Sequence, residues 1–146
     1  MPGIIVGVDG SGHSQRALEW AMKEAAVRRL PLSVLTVHQA IVGYFGGVVT
    51  SPQDPELTEQ AEAAVKAEVD RALAGLDGAH PESVKVRAVH GFPVEELVNA
   101  SKEADMVVLG SRGAGGFTRL MLGSTAGQVV QHAHCPITIV PPEDRA

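Results

Sequence analysis

Short apolar runs alternate along the chain with segments in which apolar residues recur every three or four positions. Five runs have the length and composition of β-strands: residues 4–8, 32–38, 84–90, 105–109 and 136–140. Helical spacing fills the segments between them. Strands that alternate with helices build a parallel sheet, because a helix fills each right-handed crossover. The pattern therefore predicts a Rossmann-like α/β fold, an open twisted five-stranded parallel sheet with helices on both faces.

The strands differ in how evenly they are apolar. Runs 4–8 and 105–109 are apolar almost throughout, which is typical of central strands buried on both faces. Run 84–90 alternates apolar and charged residues, which indicates a half-exposed strand at a sheet edge. At the helix starts, Ser14 and Ser124 are predicted to act as N-caps, since a serine side chain accepts a hydrogen bond from a free backbone amide.

The organisation is that of one domain, 1–146, because 146 residues fall within the usual size of a single domain. Residues 39–55 contain three glycines and two prolines without a clear period, and they predict a long loop. Loops of this length are uncommon in small domains unless they act as a lid or a binding loop.

Charge and composition exclude several functions. The chain has 12 basic and 17 acidic residues, a formal net charge of −5, which argues against binding to nucleic acid or to an anionic membrane. No apolar run approaches the roughly 20 residues of a membrane span, and no secretory leader is visible, so we expect a cytoplasmic protein. Cys135 is the single cysteine, which excludes an internal disulfide framework; we expect it to be a small buried residue.

Two polar, glycine-rich loops follow the apolar strands 4–8 and 105–109. In a doubly wound sheet the ligand binds beyond the carboxyl ends of the strands, where the winding direction reverses. Gly110 and Gly113 allow close approach of backbone amides through positive φ, and Gly123 leads into a helix whose first amides are unpaired. Arg112 adds positive charge. The two loops together predict a phosphate site, against the alternative of a glycine-rich surface loop.

Other chemistry receives less support from the sequence. No Walker lysine, dinucleotide fingerprint or Gly-x-Ser-x-Gly nucleophile motif is present. Asp9 is the single carboxylate in loops 9–12 and 110–125, and it serves either as a ligand contact or as a turn cap. His38 and His90 end strands at the same edge; a metal pair is conceivable, but no third ligand recurs, so ordinary polar histidines are preferred.

The spacing Gly110-x-x-Gly113, nine residues, then Gly123-Ser124 resembles the signature of the nucleotide-binding branch of the universal stress protein family. Residues 6–11 resemble the opening of that family, 91–93 its turn before the third helix, and 133–136 its entry to the last strand. The resemblance extends over nearly the whole chain.

This resemblance implies strand order 3-2-1-4-5, with ATP between the ends of the first and fourth strands and Mg²⁺ or Mn²⁺ on its phosphates. It also implies a homodimer through the last strand, 137–140. Residue by residue it implies that Asp9 holds the ribose or a metal-linked group, that Gly7 and Val8 border the nucleoside, and that Val37 and Leu109 contact adenine. The residues implied around the phosphates are Gly110, Arg112, Gly113, Gly123, Ser124 and Thr125.

The function expected from these features is that of an ATP-binding stress-response regulator, in which the nucleotide acts as a switch. Hydrolysis is expected to be slow or absent, because phosphoryl transfer depends on positioned charge and the loops lack a lysine and a second carboxylate. The alternatives are a weak Mg-dependent ATPase, with Asp9 and a metal as its working parts, and a dimeric interaction protein that binds a cyclic nucleotide or none.

Overall fold

Strands and helices alternate in the order that the hydrophobic pattern predicts. The computed structural model describes residues 3–9, 14–39, 55–111 and 122–141. The elements are β1 (Ile4–Val8), α1 (Gln15–Arg28), β2 (Leu32–Gln39), α2 (Pro55–Ala74), β3 (Val84–Gly91), α3 (Pro93–Ser101), β4 (Met106–Gly110), α4 (Ser124–His132) and β5 (Ile137–Val140). Apart from its two end residues, the predicted loop 39–55 lies outside the described residues.

The five strands form one parallel sheet in the order β3-β2-β1-β4-β5, which confirms the predicted fold class and strand order. β1 lies in the centre, and β3 is an edge strand, as its alternating pattern predicts. The connections from β1 and from β4 leave in opposite directions along the sheet. The topological switch point therefore lies between these two strands.

Each face of the sheet has its own apolar core. On one face, Ile4, Val6 and Val8 of β1 pack with α1 and α2 residues such as Leu18 and Val69. On the other face, the buried residues include Leu35, Leu97, Val107, Leu109 and Val129, which join β2 and β4 to α3 and α4. Because side chains alternate between the two faces along each strand, β1 and β4 contribute to both cores.

The two predicted N-caps differ in outcome. Ser14 lies at the N-cap of α1, as predicted, although its hydroxyl makes no capping hydrogen bond. The N-cap of α4 is Gly123, so Ser124 is the first helical residue. α4 ends at His132. None of the helices in the described ranges is both long enough and apolar enough to cross a membrane.

Candidate functional site at the carboxyl edge of the sheet

The strands separate at the carboxyl edge between β1 and β4. Their ladder pairs residues 4–6 with 106–108 and stops there, although β1 continues to Val8 and β4 to Gly110. The neighbouring ladders do not stop short in this way, since β1 pairs with β2 as far as Val8 and β4 pairs with β5 as far as Gly110. Backbone pairing thus ends early at the switch point, where open α/β sheets have the crevice in which their ligands bind.

One wall of the crevice is the end of β1. Val8 is buried, and Asp9, the next residue, is exposed. Val8 pairs with Thr36, so Val37 lies one position further along β2, level with Asp9. The structure thus brings together Gly7, Val8, Asp9 and Val37, four of the residues that the sequence places at the site.

Gly7 lies directly against two leucines, Leu97 on α3 and Leu109 on β4. A Cβ atom built there would lie 2.8 Å from Leu109 Cδ2 and 3.2 Å from Leu97 Cδ2, closer than side chains normally pack. Leu97 and Leu109 are both buried. A glycine is therefore needed at this position for the close approach of β1 to the leucines.

The other wall is built from the end of β4 and the start of α4. The Ser111 amide donates to the Val140 carbonyl at 3.1 Å, and the Gly123 amide donates to the Ser111 carbonyl at 2.7 Å. The second bond joins the two ends of the glycine-rich loop. Gly110 is thereby placed close to Gly123, Ser124 and Thr125, while Arg112 and Gly113 lie outside the described residues.

The N-cap of α4 is a glycine, which has no side chain to cap the helix, and the first turn of α4 contains no acidic residue. Backbone amides in the first turn of a helix have no intrahelical acceptor and carry partial positive charge. The Ser124 side chain is exposed and that of Thr125 is half-buried, and both supply hydroxyl groups beside these amides. The arrangement suits an anion.

α1 begins on the other side of the crevice with the same features. Its first turn has no acidic residue, and the Ser14 side chain, 4% exposed, has an Oγ without a hydrogen-bond partner among the described residues. By contrast, Glu56 lies in the first turn of α2, and Glu95 and Glu96 lie in that of α3. The helices without acidic first turns are thus the two that follow β1 and β4.

The predicted backbone role of Gly110 is wrong. Gly110 is the last residue of β4, and it is not among the described glycines with positive φ. Gly123 has φ −60° and ψ 158°, an extended conformation open to any residue.

One cation at this edge was missed by the sequence reasoning. Arg16, in the first turn of α1, donates from Nη1 to the carbonyl of Pro141, 3.1 Å away, just after β5. The position of Arg16 in the sequence could have indicated this, because a basic residue two positions after the N-cap of the helix that follows β1 must lie near the switch point.

Cys135 differs from its prediction as a buried residue, since its side chain is partly exposed. Burial nevertheless raises the pKa of the Cys135 thiol above its ordinary value, and the nearby Asp105 carboxylate raises it further, against a hydrogen bond at the Val107 backbone that lowers it. A raised pKa leaves little thiolate at neutral pH, so this cysteine is not activated for redox chemistry.

A cavity of about 590 Å³ lies at the opposite, amino edge of the sheet, between β3 and α3. Its lining includes Lys85 and Arg87 on β3 and Glu96, Asn99 and Glu103 on or just after α3. It contains none of the residues predicted for the site. The crevice, with its two helix ends, is the better candidate, because ligands of such sheets bind at the carboxyl edge.

The fold and the crevice define a doubly wound parallel α/β domain with its candidate site at the switch point. Residues 2–141 match the model of the Universal stress protein family, and the chain belongs to this family. One universal stress protein of Mycobacterium tuberculosis is 34% identical over 155 residues, which cover 98% of this chain and 49% of the relative. A second from that organism is 36% identical over 152 residues, covering 97% and 48%. The chain spans about half the length of these curated relatives.

Solved structures of the family share the fold. Universal stress protein UspA from Lactobacillus plantarum superposes with a TM-score of 0.74 at 28% identity, covering 95% of this chain and 97% of that one. A universal stress protein in complex with cAMP has a TM-score of 0.70 at 26% identity, covering 96% of both chains. The Archaeoglobus fulgidus protein in complex with dAMP has a TM-score of 0.58 at 25% identity, covering 95% and 97%.

Proposed function

We propose that the chain binds an adenine nucleotide in the crevice between β1 and β4. The observation that carries this proposal is the early end of the β1–β4 ladder between two helices that begin without acidic residues. Two similar universal stress proteins were solved with cAMP and with dAMP, which supports an adenine nucleotide as the ligand.

The phosphate groups are assigned to the β4 side of the crevice. Gly110, Gly123, Ser124 and Thr125 meet there, because the Gly123–Ser111 hydrogen bond closes the loop between them. The first amides of α4 and the two hydroxyls donate hydrogen bonds to phosphate oxygens. Arg112 and Gly113, on the same loop, are proposed to complete this half of the site.

The nucleoside is assigned to the β1–β2 side. Val37 is partly buried against the core that contains Leu109, so the two supply apolar surface for adenine. Gly7 and Val8 border the sugar. Asp9 is exposed at the end of β1, where its carboxylate accepts hydrogen bonds from the ribose hydroxyls or binds a divalent ion held by the phosphates. Mg²⁺ or Mn²⁺ suits this second role, since such an ion needs few protein ligands when phosphates and water supply the rest.

We further propose that nucleotide occupancy, and not rapid turnover, carries the function. Loops 9–12 and 110–125 contain one carboxylate, Asp9, and no lysine. Fast phosphoryl transfer needs charges placed on the leaving group and a residue that orients the attacking water. A bound nucleotide can still change partner binding if it favours one of two conformations. A weak Mg-dependent ATPase is the second candidate.

Calorimetric titration of the nucleotide-free chain tests the proposal. The ligands are ATP, AMP and cAMP, each with and without Mg²⁺, and UTP serves as a triphosphate control without adenine. We expect saturable binding of an adenine nucleotide, much weaker binding of UTP, and a rise in melting temperature by mass action. Absence of both heat and thermal shift at millimolar adenine nucleotide contradicts the proposal. Phosphate release over many turnovers, lost in Asp9→Ala, favours the ATPase.

We also propose that the chain, as one domain 1–146, forms a homodimer through β5. This strand is the last in the sheet order and has one neighbour, β4. Sedimentation velocity at micromolar concentration tests the pairing, and we expect a dimer. A monomer at that concentration overturns the dimer proposal and leaves the nucleotide proposal standing.

A further inference from the structure

We propose that His38 and His90 bind a divalent transition-metal ion such as Zn²⁺, separate from any ion held by a nucleotide. The two histidines are paired in register on the neighbouring strands β2 and β3. They lie on the face of the sheet that α2 covers, because His38 Nε2 is 3.0 Å from Thr58 Oγ1 on that helix. Their rings are in contact near the carboxyl ends of both strands.

The distance between the rings suits a shared ion. The ring centroids are 5.1 Å apart and the ring planes are inclined by 59°. A zinc ion about 2.1 Å from one nitrogen of each ring, at the tetrahedral angle, holds the two centroids about 5 Å apart. The centroid spacing set by the two strands is therefore compatible with both imidazoles binding one ion.

The polar atoms of the rings supply the second argument. His90 Nε2 is buried and has no hydrogen-bond partner in the described part of the chain. A buried polar atom left unpaired is unfavourable, and a metal ion is one partner that removes this cost. The His38 Nε2–H group donates to Thr58 Oγ1 in the tautomer that leaves a lone pair on Nδ1. Histidines that bind metals commonly donate their second nitrogen in this way.

The chemistry of two imidazoles selects the ion. Neutral imidazole favours Zn²⁺, Cu²⁺ and Ni²⁺, whereas Mg²⁺ prefers oxygen ligands. The described ranges contain no cluster of three or more His, Cys, Asp or Glu residues able to hold a metal. Two imidazoles supply half of a tetrahedral coordination shell, so we expect micromolar affinity, weaker than that of a structural zinc site with four protein ligands.

Equilibrium dialysis of the untagged, nucleotide-free chain against Zn²⁺ tests the proposal. We expect one saturable site, a rise in melting temperature with Zn²⁺ and no such rise with Mg²⁺. His90→Gln and His38→Gln should each weaken binding by at least about tenfold. His132→Gln is the matched control, because His132 is exposed at the end of α4 and should leave the affinity unchanged.

A further variant tests the site while keeping both imidazole rings, so that no metal ligand is removed. Thr58→Val removes the hydroxyl that orients His38, and an orienting partner of this kind commonly changes metal affinity about 10-fold or more. Circular dichroism checks that each variant is folded. The proposal is overturned if folded His90→Gln binds Zn²⁺ as tightly as the parent chain, or if the parent binds no more Zn²⁺ than a chain lacking both histidines. Neither result bears on nucleotide binding, since no nucleotide is present.

Discussion

The carboxyl edge of the sheet has a central half, around β1 and β4, and an outer half, around β2 and β3. In the outer half the ladder has eight pairs and continues to Gln39 and Gly91, the last residues of both strands. In the central half the ladder has three pairs and stops at Val6 and Val108. The outer half is thus closed by backbone pairing, and the central half is open.

The two halves also differ in their polar groups. The central half presents the uncapped amino ends of α1 and α4 without an acidic residue in either first turn. The outer half presents two imidazoles in contact and a helix, α2, whose first turn contains Glu56. One edge of a single sheet therefore offers a candidate anion site in its centre and a candidate cation site beside it. The strand order determines which half holds which candidate site, because the crossover connections diverge only at the switch point, in the central half.

Among the variants in the central half, Gly123→Val should cause the largest loss of nucleotide affinity. A branched side chain at the N-cap of α4 occupies the space in front of the first amides, where we place the phosphates. We expect at least about a 100-fold loss of adenine nucleotide affinity by calorimetry, with an unchanged circular dichroism spectrum. Val is compatible with the extended backbone at this position, so the fold should persist.

Gly127→Ala is the matched control for that variant. Gly127 lies in α4, four residues after Gly123, and a Cβ atom there meets nothing within 4 Å. Its nucleotide affinity should equal that of the parent chain. Equal losses in the two variants contradict the assignment of the phosphates to the amino end of α4.

Gly7→Ala and Gly91→Ala compare the packing of the two halves. At Gly7 the added methyl group meets two buried leucines, and overpacking of this kind costs about 1–3 kcal/mol in the free energy of unfolding. At Gly91 its nearest neighbour is Glu96 Oε1, 3.0 Å away at the end of a flexible side chain, so we expect a change below about 0.5 kcal/mol. Urea denaturation measures both. A larger loss at Gly91 reverses the comparison.

Asp9→Asn tests the role of the carboxylate in the central half. The amide still forms hydrogen bonds with a ribose but is a poorer ligand for Mg²⁺. We therefore expect about a tenfold loss of ATP affinity in the presence of Mg²⁺ and a smaller loss in its absence, where the ribose contact alone is affected. The same loss with and without Mg²⁺ assigns Asp9 to the ribose, and no loss in either case removes it from the site.

Gly127→Ala should also be the one stabilising change among these variants. Replacing a helical glycine by alanine stabilises a protein by up to about 1 kcal/mol when the methyl group has space. The predicted result is a slightly higher urea midpoint with no change in slope. A lower midpoint shows that the middle of α4 is more tightly packed than the structure indicates.

Much of the fold follows from the sequence. The continuous apolar runs of β1 and β4 predict buried central strands, and the alternation in β3 predicts an edge, since one face of that strand must meet water. The residues at the ends of β1 and β4 are recognisable as a site because the topology of alternating strands and helices brings these ends together. The family resemblance adds the strand order, which the structure confirms, and the residue roles, which stay predictions.

Helix ends are less well determined by local sequence. Serine is a common N-cap residue, yet neither Ser14 nor Ser124 makes the capping hydrogen bond. The Ser14 side chain is buried, and Gly123 takes the N-cap position of α4. Local preferences of this size, about 1 kcal/mol, are easily overridden by tertiary packing.

The sequence by itself determined the number, type and order of the elements, because the spacing of apolar residues reflects the geometry of each helix and strand. The tertiary structure alone decided where the β1–β4 ladder stops, that Arg16 donates to the carbonyl of Pro141, and that the rings of His38 and His90 are in contact. These features depend on register between segments far apart in the chain, which no local pattern encodes.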